Sequence, residues 1–408
     1  MGESSKADSR GKEEIKFDRD TIERTIRERV RDIIEQVVDA ELDAALGAKP
    51  SQRVGTQRQG YRHGYRQRTL TTSTGPTRFA MPRARLREAT GGSHEWQSQT
   101  VARYERRSRR VDEAIVGVYL GGANTRRIRG ALAPLLRGAP LSKDAVSRLV
   151  GRLKGEFESW QQRDLQADQI RHLYMDGWYP KVRIDKKRVR VPVLVTLGTR
   201  ANGERVVIDL RIAGEESSAA WGEVISALVK RRIGVPELAV IDGSPGLMQA
   251  LQEQWKQIKI QRCTNHKLRN LQAKVPARLR EELTEDYRRM IYADSVDEVS
   301  KQRKRFEKKW ALKCAAVITS LAEAGEELFT FTHFPSSQWK ALRTTNAIER
   351  INEEFRRRTK TQASLPNDDA VVLLMYGLLC SGQIRLRRMV GWKELPPAPR
   401  AVLMAEAA

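Results

Sequence analysis

Ile170-Arg-His-Leu-Tyr-Met-Asp176, Val189-Arg-Val-Pro-Val-Leu-Val-Thr-Leu197 and Arg205-Val-Val-Ile-Asp-Leu-Arg-Ile212 succeed one another with short polar breaks between them. Their β-branched and apolar content predicts three successive strands, which can close as an antiparallel meander. A helix over 217–232 follows, then a strand Glu237-Leu-Ala-Val-Ile-Asp242, a helix over 245–255, a strand Ile258-Lys-Ile-Gln-Arg-Cys263 and a helix over 266–275. The later crossovers add parallel strands. Asp176 ends the first strand and Asp242 the fourth, and in this order those two ends become neighbours at the sheet centre.

Three strands followed by βαβα is the order of a ribonuclease H-like sheet. Carboxylates on adjacent strand ends can hold hard, oxygen-loving cations such as Mg²⁺. Two such ions ~3.5–4 Å apart can activate a water or a 3′-hydroxyl and stabilise the leaving oxygen in phosphoryl transfer. Each aspartate also has a plainer reading, Asp176-Gly177 as a hairpin corner and Asp242-Gly-Ser-Pro as an Asx turn opening a helix. A third carboxylate is expected from a later helix. Residues 276–338 are charged helical sequence with Trp310, and Trp339 follows at once. Behind them stands Thr344-Thr-Asn-Ala-Ile-Glu-Arg-Ile-Asn-Glu-Glu-Phe-Arg-Arg-Arg-Thr-Lys360. Ile348, Ile351 and Phe355 mark its buried face, so Glu349 lies to one side with Asn352, Glu353 and Arg356. The alternative for Glu349 is the return arm of a capping box from Asn346, worth ~0.5–2 kcal/mol.

The chain of 408 residues carries 75 Lys+Arg against 51 Asp+Glu, a net charge of +24. That length predicts two or three domains, and 40% hydrophobic with 31% charged residues excludes wholesale disorder. The longest apolar run, 370–380, is too short to span a membrane. The opening Met1-Gly-Glu-Ser-Ser-Lys predicts no secretory signal, and three cysteines (Cys263, Cys314, Cys380) are too few for a disulfide framework. A cytoplasmic, nucleoid-associated protein is expected, with nucleic acid rather than a membrane as the polyanionic partner.

The charge divides the chain. Residues 1–50 hold ten Lys/Arg and thirteen Asp/Glu, whereas 51–110 hold fourteen against three. In the first block Ile22, Ile26, Val30, Ile33, Ile34, Val37 and Val38 recur at helical spacing and stop at Gly47, predicting one amphipathic helix that must pack on a later domain or on another subunit. In the second, Arg53, Arg58, Arg62, Arg66, Arg68, Arg83 and Arg85 lie among Tyr61, Tyr65, glycines and threonines. Two short strands around a turn at Gly75-Pro76 are expected there, a basic ribbon able to neutralise phosphates or enter a groove. A solvated basic hairpin is the plain alternative. Residues 111–153 then carry three apolar helical stripes (Ile115, Val118, Tyr119; Ile128, Leu132, Leu135; Val146, Leu149, Leu153), with a corner at Gly121-Gly122. Ser142 is placed to cap the third helix, leaving Lys143, Ser147, Arg148 and Arg152 outward. This is helix-turn-helix-like, with Arg126 and Arg127 as further contacts, although small structural bundles share the pattern.

The motifs Tyr174-Met-Asp-Gly-Trp178, Val240-Ile-Asp-Gly-Ser-Pro-Gly246, Gln261-Arg-Cys-Thr-Asn-His-Lys-Leu-Arg-Asn-Leu271 and Thr344-Thr-Asn-Ala-Ile-Glu-Arg-Ile-Asn352 resemble those of the Mutator-type bacterial insertion-sequence transposases. The resemblance runs from about residue 53 to 392. It implies an Asp-Asp-Glu triad, Asp176, Asp242 and Glu349, binding two Mg²⁺ ions, with Mn²⁺ able to substitute. It also implies a helical insertion between the second Asp and the Glu. Cys263 and His266 match the family's Cys-x-x-His signature. A lone pair of that kind is half a zinc site, so the two are read as structural or site-flanking, together with Asn346, Arg350 and Arg356. Trp178 departs from the small residue that often follows the glycine.

The expected organisation is a multidomain α+β chain: an amphipathic helix in 1–50, a basic hairpin region in 51–100 and a helix-turn-helix-like DNA-binding domain in 101–165. A ribonuclease H-like α/β catalytic core follows in 166–275, interrupted by an all-α insertion in 276–338 and completed by helices in 339–395. The implied activity is a transposase that binds insertion-sequence ends and performs metal-dependent strand cleavage and transfer on terminal inverted repeats and target DNA. A homodimer or higher oligomer in the synaptic complex is implied too. The alternative is a catalytically inactive, transposase-derived DNA-binding regulator. Within the insertion, Phe306 and Trp310 stand four apart among basic residues. That spacing reads first as a small core, with Trp310 also a candidate for stacking on an unpaired base.

Overall fold

The computed structural model describes residues 19–53, 58–88, 91–121, 123, 125–184, 187–214, 217–361, 365, 367–382 and 384–396. The chain divides into two compact units, one of residues 1–119 and 125–149, the other of 120–124 and 150–408. Gly122 and the side chain of Arg126 lie outside the described residues.

In the first unit, helix α1 (Arg19–Leu46) ends where expected. Gly47 takes a left-handed φ of 64° that glycine adopts without a Cβ penalty, and the Ala48 amide closes on the Asp43 carbonyl at 3.2 Å. Strands β1 (Gly60–Thr72) and β2 (Gly75–Arg87) form a long antiparallel hairpin, with β3 (Ser93–Glu95) on the far edge of β2. The strands are longer than expected, and the turn falls at Ser73-Thr74, one step before Gly75-Pro76. Val38, Leu42 and Leu46 pack on Leu70, Phe79, Met81, Ala84, Trp96 and Val101. The apolar stripe of α1 is therefore covered only in its second half. Ile22 and Ile26 are exposed because the hairpin reaches only the C-terminal turns of the helix, and Ile33 and Val37 because they lie one position round the helix from Ile34 and Val38, which face the hairpin; the other expected cover, a second subunit, would fall on these residues. Polar contacts complete the seam: Arg62 pairs with Asp43 and, at 3.4 Å, with Asp39, and the Glu35 carboxylate accepts the Ala80 amide at 2.8 Å.

Helices α2 (Arg109–Leu120), α3 (Thr125–Ala131), α4 (Ala133–Leu136) and α5 (Lys143–Gln162) follow. Pro134 in the first turn of α4 splits the second expected helix in two. Ser142 caps α5 as expected, its hydroxyl accepting the Ala145 amide at 3.2 Å. Val146, Leu149 and Leu153 face inward, while Lys143, Ser147, Arg148 and Arg152 face solvent.

The second unit is built on strands β4 (Ile170–Trp178), β7 (Val193–Arg200), β8 (Arg205–Ile212), β9 (Leu238–Ile241) and β10 (Lys259–Arg262), in the spatial order β10-β9-β4-β7-β8. β4, β7 and β8 are antiparallel neighbours, and β9 and β10 run parallel to β4. This is the meander plus parallel crossovers expected from the sequence. The 189–197 run is not one strand: Pro192 has no amide hydrogen for the ladder, so the segment breaks. Its first residues form β6 (Lys187–Arg190), which pairs with β5 (Lys181–Ile184) in a separate hairpin. Helices α6 (Ser218–Lys230) and α7 (Pro245–Gln254) cover one sheet face, packing Trp221, Val224, Leu228, Leu247 and Leu251 on Leu173, Met175, Ala239 and Ile241. Side chains alternate across a strand, so Tyr174, Asp176 and Val240 point to the opposite face.

Helices α8 (Thr264–Gln272), α9 (Arg280–Ile291), α10 (Val296–Lys313), α11 (Ala315–Ala324) and α12 (Ser336–Leu342) intervene before α13 (Asn346–Thr361) and α14 (Asp369–Cys380). Ile348, Ile351 and Phe355 of α13 are buried as expected, with Phe355 5.8 Å from Trp178. Trp310 has no exposed surface, stands 6.0 Å from Phe306 and donates its indole N–H to Asp286 at 3.1 Å. Buried in this way, the ring packs as the small core that its spacing with Phe306 predicts, and it offers no exposed face for stacking on a base. No described helix is long and apolar enough to cross a membrane.

Candidate active site

The site grows from register. On parallel β4 and β9, Met175 is level with Ile241, so Asp176 and Asp242 are the next residues along two neighbouring chains. Both continue the alternation away from the α6/α7 core. Asp176 is buried, and Asp242 stands half-buried just beyond β9. The Asx turn anticipated at Asp242 is present, its carboxylate accepting the Ser244 amide at 2.9 Å. Asp176 is not at a hairpin corner, since β4 continues to Trp178. Gly243, between Asp242 and Ser244 in the Asx turn, has a left-handed φ of 95°, and the Arg262 guanidinium lies 2.5 Å from where a Cβ would stand. Arg262 is itself fixed by the Glu323 carboxylate at 2.7 Å and carbonyl at 3.0 Å.

Cys263 follows β10 and opens α8, its amide donating to the Ile241 carbonyl at 2.6 Å. Its sulfur accepts the amide and the hydroxyl of Thr345, each at 3.4 Å. The Thr345 carbonyl in turn accepts the Glu349 amide at 3.1 Å, so the helix bearing the third acid starts from this sulfur. The capping box does not form. Asn346 accepts from the Asn265 side chain at 2.8 Å, and the Glu349 carboxylate turns to Arg269 at 3.0 Å.

His266, one turn into α8, faces all three acids. Its Nε2 is 3.9 Å from Glu349. The Cys263 sulfur as hydrogen-bond partner, against the cost of burial and with the charges of Cys263, Asp176 and Asp242, raises its pKa to about 9. Burial pushes the Cys263 thiol up, but His266 and Thr345 outweigh burial and leave it lowered. Nδ1 of His266 is buried without an acceptor in good hydrogen-bond geometry.

Among the described residues no three His, Cys, Asp or Glu side chains are gathered closely enough to hold an ion. Asp176 and Asp242 nevertheless fit one chemically: both offer oxygen only, from adjacent backbone positions, which suits Mg²⁺ or Mn²⁺. The Glu349 carboxylate is held instead by Arg269 at 3.0 Å. Arg350 and Arg356 are exposed on α13, and Asn352 is buried beside them with no partner for its amide oxygen. Arg269 was not singled out from sequence, although it stands three residues after His266, the spacing that puts side chains on one helix face.

The candidate DNA-contact residues separate. Arg53, Arg66, Arg85, Arg127, Lys143, Arg148 and Arg152 are exposed, as is Arg83, which leans on Glu95 at 3.2 Å. Arg58 is half-buried. Arg62 is engaged by α1, and Arg68 donates to the carbonyls of Val101, Ala102 and Glu105 at 2.8–3.1 Å, so both serve the fold rather than a free ribbon face.

The family model described as the Mutator family of transposases matches residues 3–384. The chain is similar to the transposase for insertion sequence element ISRM5 of Rhizobium meliloti, 30% identical over 322 residues and covering 79% of each protein. It is also similar to the transposase for IS406 of Burkholderia multivorans, 28% identical over 79% of this chain and 81% of that one. The transposase for IS256 in transposon Tn4001 of Staphylococcus aureus is 27% identical over the same shares.

Proposed function

The chain belongs to the Mutator family of transposases, and from that premise we propose that it binds insertion-sequence ends and catalyses DNA strand cleavage and strand transfer with divalent ions. The observation that carries the reading is the register that sets Asp176 beside Asp242 on the sheet face covered by the helix of Glu349. The five-stranded order supports a ribonuclease H-like core, and 276–338 is read as its helical insertion.

Asp176, Asp242 and Glu349 would hold two Mg²⁺ ions. Bound there, the metal supplies the Lewis acidity that activates an attacking water or 3′-hydroxyl and neutralises charge on the leaving oxygen. The chain's own part is positional. Asp176 is fixed by the sheet and Asp242 by the Ser244 amide, so two acids need little reorganisation. Glu349 is kept near by Arg269 and by the protonated His266, whose cationic side chains are also suited to a phosphodiester. The exposed arginines of the hairpin and the outward face of α5, read as helix-turn-helix-like, are proposed to grip the element ends and target DNA, with two or more subunits in the synapse.

The test is incubation of the protein with a plasmid carrying the element ends, with and without Mg²⁺. Nicking and joined products that need the ion support the proposal. End binding without any cleavage under Mg²⁺ or Mn²⁺ would instead mark a DNA-binding regulator.

A further inference from the structure

Segment 101–108, after the hairpin, contributes little to the core and yet is held firmly. The Thr71 amide donates to the Arg106 carbonyl and the Ser108 amide to the Thr71 carbonyl, both at 2.9 Å, so a single parallel bridge at Arg107 ties the segment to β1. Arg68 clamps it from beneath through three carbonyls. Its one acid, Glu105, accepts the Ala102 amide at 3.3 Å, and Arg107 is fixed on Asp112 at 2.7 Å. What remains outward is Arg103, Tyr104 and Arg106. Tyr104 is 81% exposed, with the Arg103 guanidinium 5.4 Å from its ring centre. Among the described residues no carboxylate forms an ion pair with Arg103 or Arg106.

These residues form one wall of an open groove of about 590 Å³. Thr69, Thr71 and Pro76 of the hairpin are its floor, and Arg137 with the turn after α4 is the opposite wall. Core packing cannot account for an exposed tyrosine bracketed by arginines on a clamped backbone. Such a device is preorganised, so a ligand loses little freedom in meeting it. Glu105 is the groove's only acidic lining residue and Arg137 is already engaged by Glu23 at 3.1 Å, so the positive charge left for a ligand comes from Arg103 and Arg106 and suits an anion.

We propose that this groove, with Arg103, Tyr104 and Arg106 as its contact residues, grips the sugar-phosphate backbone of duplex DNA and sets the depth and register of the hairpin beside it. The proposal rests on the reading of the chain as a DNA-binding transposase. Phosphate contacts of this kind position a protein without reading sequence.

The experiment uses the full-length protein and fluorescence anisotropy on two duplexes, one bearing the element end and one of random sequence, across a salt series. Each phosphate contact contributes a slope of about 0.9 in log K against log salt, so Arg103→Gln with Arg106→Gln should flatten the slope by about 1.8 on both duplexes. The preference for the element end and the melting curve should stay as in the wild type, and Arg103→Lys with Arg106→Lys should keep most of the slope. Arg109→Gln with Arg110→Gln, removing equal charge from exposed residues outside the groove, should flatten it less. A slope unchanged by the Arg103/Arg106 pair, or lowered equally by both pairs, overturns the groove while leaving DNA binding intact. A wild-type protein with no salt-dependent affinity for either duplex would overturn the underlying reading instead.

Discussion

Replacing Trp310 by alanine separates packing from DNA processing in the helical region before α13. The side chain has no exposed surface; Phe306 lies on it, and the Lys309 and Lys313 ammonium groups stand 6.0 and 5.9 Å from its ring centre. Truncating a fully buried tryptophan costs ~3–5 kcal/mol in transfer and cavity terms. Asp286 loses the indole donor but keeps Lys309 at 2.5 Å, so a stranded carboxylate adds little. At roughly 2–4 °C per kcal/mol for a unit of this size, the melting temperature should fall by about 10 °C. Trp310→Phe keeps most of the apolar area and loses one hydrogen bond to a charged acceptor, a cost of about 1.5–3 kcal/mol at most. Differential scanning calorimetry of both variants, read beside end binding and cleavage at a temperature where each is folded, makes the comparison. An alanine variant that melts like the wild type but stalls at strand processing would refute the packing argument and put the indole on the DNA.

Three further outcomes follow from the site and the sheet. Asp242→Asn removes a charge while preserving shape, so metal-dependent nicking should fall by orders of magnitude with end binding retained; nicking near the wild-type rate would remove Asp242 from the chemistry. Gly243→Ala must accommodate a Cβ at a φ of 95° against Arg262, which should cost about 1–3 kcal/mol and lower cleavage, as a melt and a nicking assay would show. His172 is buried with neither ring nitrogen bonded, and burial followed by the Arg171 and Arg205 charges lowers its pKa to about 3. The unfolded chain therefore binds the proton more readily. The stability tied to this neutral ring is complete above the unfolded value of about 6.5 and drains away as pH falls from there towards 3. His172→Phe, which keeps the edge-on contact with Phe334 at 5.6 Å, should shallow that acid limb of the denaturation profile.

Strand order was legible because each run carried its own composition and the crossovers have one hand. The limit of α1 was legible because Gly47 is a local signal. Pro192 was equally local, yet the valines on both sides masked the break, and the polar β6 was absorbed into its neighbour. Burial along α1 was not legible at all, since helical spacing shows that a stripe exists and not how far its cover extends. At the site, the two aspartates follow from strand ends alone. The grip of Arg269 on Glu349 and the Cys263–Thr345 link depend on residues about eighty apart in sequence, which no periodicity connects. Arg62 and Arg68 counted among fourteen basic residues as charge, and only their partners distinguish a structural arginine from an available one.

The placement of the acids of α1 has a further consequence. Glu35, Asp39, Glu41 and Asp43 all bond to the hairpin region from one side, while Arg66, Arg78, Arg83 and Arg85 remain exposed along its strands. The negative balance of the N-terminal segment is thus spent in a fixed direction. Such a lopsided charge distribution experiences a torque in the field of a polyanion, and that field extends about a Debye length, roughly 8–10 Å at physiological salt, beyond contact. If the unit binds DNA as proposed, that field would favour approach with the hairpin arginines leading rather than the acidic helix.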